Sequence, residues 1–254
     1  MSVRAAHPPW RDEPSPAVTG TRLMADAPSR RLWITRAQPQ AEATARRVAA
    51  LGWTPVTAPV LQIRPLTVEP GALAGADSLA FTSQAAVAAF VAQSSQRELR
   101  VFAVGAATAR AAAQAGFTHI EEPGAQALGV EALADHIARA QPRPAMVLHL
   151  AARHPAGDLS ALLAERGLSA HAVAVYDAVP TALAHAPEAI DGVMVHSPRT
   201  AQQVARILNP ETARGLCLWA ISTATAEPLR KLGFKRIFVA ERPHERAMLT
   251  QLQD

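Results

Sequence analysis

Four short segments place a hydroxyl-bearing residue or a glycine where an apolar run gives way to an Ala-rich stretch: Thr82-Ser83, Gly105-Ala106-Ala107-Thr108, Ser197-Pro198-Arg199-Thr200 and Ser222-Thr223-Ala224-Thr225. An apolar strand running into such a residue and then into a helix exposes the helix start. There, backbone N–H groups lack intrahelical partners and the aligned peptide dipoles add partial positive charge. The chemistry this suits is anion binding. Taken singly, Ser83, Ser197 and Ser222 need be no more than helix caps, contributing about 1 kcal/mol each. Taken together they suit a ligand with several negative charges, because an anion at each terminus gains about 0.3–1 kcal/mol.

Tyr176 is the only tyrosine, and it stands at the end of an apolar strand immediately before a loop. A phenol there can donate a proton or hydrogen bond to a departing oxygen; the bland reading is an amphipathic residue packed at a domain edge. Arg36, Arg153 and Arg199 also stand at strand ends or in a first helical turn. A guanidinium in that position can pair a carboxylate through two parallel hydrogen bonds, although plain solvation is the simpler reading of each. His149 and His154 lie five apart across a strand end, which is no metal-ligand spacing. His196 reads as a strand-end residue rather than a base. There is no G-x-S-x-G, H-E-x-x-H, P-loop or dinucleotide fingerprint. Neither a metal nor a cofactor is expected.

The elements that must position these groups are written twice. Residues 77–83, DSLAFTS, recur as DGVMVHS at 191–197, an offset of 191 − 77 = 114. Residues 101–109, VFAVGAATA, recur as LWAISTATA at 218–226, offset 225 − 108 = 117. The run ending in Arg36 is echoed by the run ending in Arg153, and Gly52 by Gly167. Apolar runs alternate with helical patterns from residue 31 onward, so the chain reads A–B–A′–B′ with parallel strands, about five per unit. Two assemblies satisfy this order: A with B, or a crossed arrangement in which B and A′ form one domain while A joins B′. The placement of two Pro-containing segments right after A and A′ favours the crossed one. The expected class is therefore α/β, with two flavodoxin-like parallel-sheet domains joined by two linkers and an active-site cleft between them. Its expected boundaries are 31–64 with 188–254 for the first domain, 76–178 for the second, and linkers at 65–75 and 179–187.

Composition bounds the rest. The chain has 254 residues, 49% of them hydrophobic, and a net charge of +4. Only Lys231 and Lys235 are lysines among 25 basic residues. Bias toward Arg and Ala accounts for that, and the basic residues are scattered without interleaved aromatics, so nucleic-acid binding is not expected. No apolar run is long enough to cross a bilayer. A single cysteine, Cys217, fits a reducing compartment. Residues 1–30 hold five prolines and no apolar period, and read as a disordered tail without a secretory signal. Met24 is an alternative start, and the cytoplasm is the expected location.

Ile34-Thr35-Arg36, Phe81-Thr82-Ser83 with Ala86-Val87, Val104-Gly105 with Thr108-Ala109, Val175-Tyr176, Val195-His196-Ser197-Pro198, and Ile221-Ser222-Thr223-Ala224-Thr225-Ala226 with Leu232-Gly233 together resemble the uroporphyrinogen-III synthase family. The resemblance runs from Arg31 to Leu252. It implies the crossed two-domain fold. It also implies a cofactor-free reaction in which the linear tetrapyrrole hydroxymethylbilane loses water and closes to uroporphyrinogen III with its last ring inverted. That substrate carries acetate and propionate arms, which matches the anion-binding helix starts. By the resemblance, Tyr176 assists departure of the hydroxyl, and Arg36, Ser83, Thr108, Ser197, Arg199, Thr223 and Thr225 hold substrate carboxylates. A monomer is expected, with a passing contact with the enzyme that makes the substrate. Departures are His196, where an apolar or Thr-like residue is expected, Ser222 opposite Gly105, and the N-terminal extension. The rival function is a two-lobed sensor that binds a tetrapyrrole or other polyanion without converting it.

Overall fold

The structure, a computed structural model, describes residues 29–124, 127, 129–143 and 145–253. The expected tail therefore lies outside the described residues, except for Ser29 and Arg30. These two already pack: Ser29 Oγ donates to the Gly52 carbonyl at 3.0 Å, and the Arg30 guanidinium lies 4.2 Å over the Trp53 ring.

Two sheets form, and their membership is crossed. One joins β1 (Arg31–Ile34) and β2 (Thr54–Thr57) to β9 (Gly192–Val195), β10 (Cys217–Ala220) and β11 (Arg236–Val239), in the order β11-β10-β9-β1-β2, all parallel. The other comprises β3 (Leu61–Pro65), β4 (Ser78–Phe81), β5 (Arg100–Ala103), β6 (Ile120–Glu121), β7 (Met146–Ala152) and β8 (Ser169–Pro180), in the order β3-β8-β7-β4-β5-β6. Read with the A or A′ segment first, both sheets have the flavodoxin-like order 2-1-3-4-5. The second carries β3 as an added edge strand, the only antiparallel pairing among the described strands.

That edge strand is the main departure from the sequence reading, which continues the first domain to 64. Instead β2 ends at Thr57 and Leu61–Pro65 pairs with the far end of β8. The chain thus passes between sheets at 58–60 and again at 181–191. The reason is chemical. Pro65 cannot donate to a ladder and is tolerated at an edge, so a strand that ends on the proline marking the expected linker still pairs on one side.

Helices cover both faces of each sheet, as parallel sheets require. Alternate residues of one strand serve opposite cores: Trp33 joins Val193, Val195 and Leu218, whereas Leu32 and Ile34 join Met194 and Trp219. Phe81 and Ala80 divide the same way in the second sheet. Gly192 is fixed by close approach. A Cβ there would come within 2.4 Å of the Trp219 ring. The repeated aspartates do the same job twice: Asp77 accepts from the Met146 N–H and Asp191 from the Arg31 N–H, each at 2.7 Å. Each pins the start of the strand beside it. None of the described helices is long and apolar enough to cross a membrane.

Candidate active site

Four strand ends lead into helices with one backbone solution. Ser83 caps the helix Gln84–Val91, Ser197 caps its counterpart Pro198–Ile207 in the other unit, and Ser222 caps the short helix Thr223–Ala226. All three have extended dihedrals and a hydroxyl accepting an N–H three residues on. Gly105, before Ala106–Gln114, has φ 169° and ψ 174°, ordinary extended backbone with no side chain to cap. Pro198 sits in the first turn, where a missing N–H costs nothing.

Tyr176 stands where β8 changes partners. Upstream, β8 pairs parallel with β7; from Tyr176 onward it pairs antiparallel with β3 through Pro65. Ala151 faces Ala174 while Ala152 faces Tyr176, so Val175 is an extra residue, and the bulge re-aims the side chain that follows it. Tyr176 is 8% exposed and packs among Phe81, Phe90 and Val175. Its hydroxyl lies 3.0 Å from Ser83 Oγ, which also accepts from the Ala86 N–H at 3.1 Å.

Around this pair lies a hollow of about 960 Å³, lined by Thr82, Ser83, Ala152 and Tyr176 from the six-stranded unit and by Ser197, Pro198 and Arg199 from the other. A neighbouring hollow of about 450 Å³ shares Ser83, Tyr176 and Ser197 and adds Arg36, Thr108 and Thr200. Arg36, Ser83, Thr108, Ser197 and Arg199, all expected to bind, thus gather with the Tyr176 phenol about one region. Thr223 and Thr225 do not line either hollow. Thr225 is fully buried, with its hydroxyl 3.0 Å from Ser222 Oγ, so in this structure it serves the cap.

Asp177, which sequence reasoning passes over, pairs with arginines at the edge of the site. Its carboxylate lies 3.3 Å from Arg199 Nη2 and 3.6 Å from Arg153 Nη1, and so couples one unit to the other. An acidic residue directly after an apolar strand must find partners if buried. That rule, applied with Arg153 at a strand end and Arg199 in a first helical turn, is the signal that would have found it.

Behind Arg36 is a second cluster. Glu245 accepts from Thr44 and Arg47, and lies 3.2 Å from Arg36 Nη1 and 3.5 Å from His196 Nε2. Burial pushes the Glu245 carboxyl up, but the adjacent His196 ring, the Thr44 hydroxyl and the charge of Arg36 outweigh it and hold the pKa at about 2. Burial lowers His196 and so disfavours its charged form. His149, in β7, bonds Thr82 Oγ1 at 3.1 Å, and burial pushes its pKa down to about 4. Among the described residues no cluster of His, Cys, Asp and Glu suits a metal ion.

The family model described as Uroporphyrinogen-III synthase HemD matches residues 42–250. Among solved structures, a uroporphyrinogen-III synthetase from Helicobacter pylori is similar at 17% identity and TM-score 0.65, over 88% of this chain and 98% of that one. A mutant uroporphyrinogen III synthase from Thermus thermophilus is similar at 18% identity and TM-score 0.51, over 89% and 97%. At such identities the likeness is one of fold. No curated protein sequence matches the chain. The family match spans most of the 254 residues, and the chain belongs to the uroporphyrinogen-III synthase family, whose members are enzymes of tetrapyrrole biosynthesis.

Proposed function

We propose that this chain cyclises hydroxymethylbilane to uroporphyrinogen III in the hollow beside Tyr176, acting as a monomer, with the two passages between its sheets serving as linkers about which the units close. The observation that carries this reading is the Tyr176 hydroxyl held 3.0 Å from a helix-capping serine in the wall of that hollow. Ser83 Oγ accepts from the Ala86 N–H and has a proton to give. If that proton goes to the phenol oxygen, the Tyr176 O–H is free to point at the leaving hydroxyl. The phenol proton then departs with the hydroxyl as water, while the pyrrole nitrogen's electron pair forms the azafulvene. The ring proton lost on rearomatisation after closure balances the one given.

The remaining task is orientation. Free azafulvene can close without inversion to the type I isomer. The hollow must hold the last ring so that its substituted carbon is attacked and a spiro intermediate forms. Holding reacting groups in register supplies ~7–11 kcal/mol, and each ~1.4 kcal/mol between the two closures is tenfold in isomer ratio. Ser197, Thr108, Arg36 and Arg199 line the two hollows, which supports a role for them in receiving substrate carboxylates. The test is chromatography of the oxidised porphyrins made from hydroxymethylbilane. Predominantly type III product supports the reading. Type I alone, or tight binding without product, ends it.

A further inference from the structure

A third hollow, of about 870 Å³, lies beyond Arg36 and away from Tyr176. Its walls come from three helices: Gln40–Ala49, Ala106–Gln114 of the six-stranded unit, and Glu245–Thr250. From the second of these, Ala107, Arg110, Ala111 and Gln114 face the space at the i, i+3, i+4, i+7 positions of one helical stripe. Arg36, Arg46, Arg47 and Arg246 also line it, and Glu245 is the only acidic residue that does.

Glu245 does not neutralise this set. Its two oxygens are already engaged by Thr44, Arg36 and Arg47. Among the described residues, Arg46, Arg110 and Arg246 have no side-chain ion pair. The independent sign of a missing ligand is His196. It lines the same hollow with its side chain only 7% exposed. Its Nε2 reaches only Glu245, at a long 3.5 Å, and its Nδ1 has no hydrogen-bond partner. A buried imidazole with one nitrogen unsatisfied, beside guanidinia without a counter-charge, is costly unless a further partner enters.

We propose that this arginine-lined hollow is a second carboxylate subsite, which takes acetate or propionate arms from substrate rings remote from the reacting one. The inference rests on the reading of function above. Arg36, Gln40, Gln84 and His196 line both this hollow and the smaller one that holds Tyr176, so the two share a wall. A tetrapyrrole anchored by its reacting end must place its other arms nearby, and planar guanidinia suit carboxylates.

The test is the Arg110→Gln/Arg246→Gln double variant, checked for an unchanged melting temperature and assayed with hydroxymethylbilane. The expected result is a KM raised about tenfold, equivalent to about 1.4 kcal/mol, with kcat and the type III fraction within twofold of the parent. The salt dependence of kcat/KM should also weaken. A KM within twofold of the parent, while the parent makes type III, overturns the subsite and leaves the function standing. If the parent makes no type III product, uroporphyrin III binding still decides. Tenfold weaker binding to the variant supports the subsite, and equal binding overturns it. Inorganic phosphate that stabilises the parent but not the variant, with KM unchanged, assigns a free anion and likewise overturns it.

Discussion

Ser83 and Ser197 occupy the same place in the two copies of one sequence unit, and their backbones agree almost to the degree, φ −158° and ψ 154° against φ −159° and ψ 154°. Each accepts an N–H three residues on at 3.1 Å. Their remaining valence differs. Ser83 Oγ meets the Tyr176 hydroxyl at 3.0 Å, whereas Ser197 Oγ meets its own helix's Thr200 Oγ1 at 2.8 Å. One local solution thus meets the candidate acid in one copy and a hydroxyl of its own helix in the other. What separates them is a neighbour delivered by a distant strand.

The largest expected effect comes from removing that neighbour's hydroxyl. Tyr176→Phe keeps the buried ring and should lower kcat by about 10²–10⁴, the usual range for a general acid, with unchanged circular dichroism. Full activity would take Tyr176 out of the mechanism. Ser83→Ala should lower kcat by roughly tenfold on the scale set by a lost orienting bond, besides about 1 kcal/mol of stability. Equal kinetics for Ser83→Ala and the parent would show that the two serines are alike after all.

The histidines near the two serines extend the comparison. His149 is buried neutral beside Thr82, with its pKa lowered from 6.5 to about 4. Below pH 6.5 the unfolded chain takes up a proton that the folded one refuses, so stability present above 6.5 is lost as pH falls toward 4. The slope from this group is on the order of 1.4 kcal/mol per pH unit. Denaturant titrations at several pH values should find it, and His149→Gln should flatten that window. Glu245, held at about 2, acts only lower: its contribution is full above its ordinary 4.5 and lost as pH falls through about 2. The smallest effect is expected of Ser197→Ala, which removes one cap and should cost about 1 kcal/mol in denaturant unfolding with kcat unchanged. A large fall in kcat would mean Ser197 positions a reacting group.

The repeat, the four caps and the strand-to-helix order are local properties, and they are legible because each depends on residues a few positions apart. So is Tyr176 as a candidate, by its singularity at a strand end. Thr225 is not legible in the same way. Its spacing matches Thr108, yet it is buried against Ser222 while Thr108 lines a hollow. Asp177 and Glu245 escape notice because their partners, Arg199, Arg36 and His196, come from other parts of the chain. Strand β3 escapes it because an edge strand needs pairing on one side only and tolerates the proline that signals a loop.

By itself the sequence determined the two-fold repetition, the helix starts that suit anions and the lone phenol. Capping and hydrophobic period act over one or two helical turns, so they are written in the chain. Which capping serine meets that phenol, which sheet claims residues 61–65 and which arginines remain without a counter-charge were decided only by tertiary structure. Each of these depends on groups far apart in sequence, and their distances are set by how the crossed sheets pack.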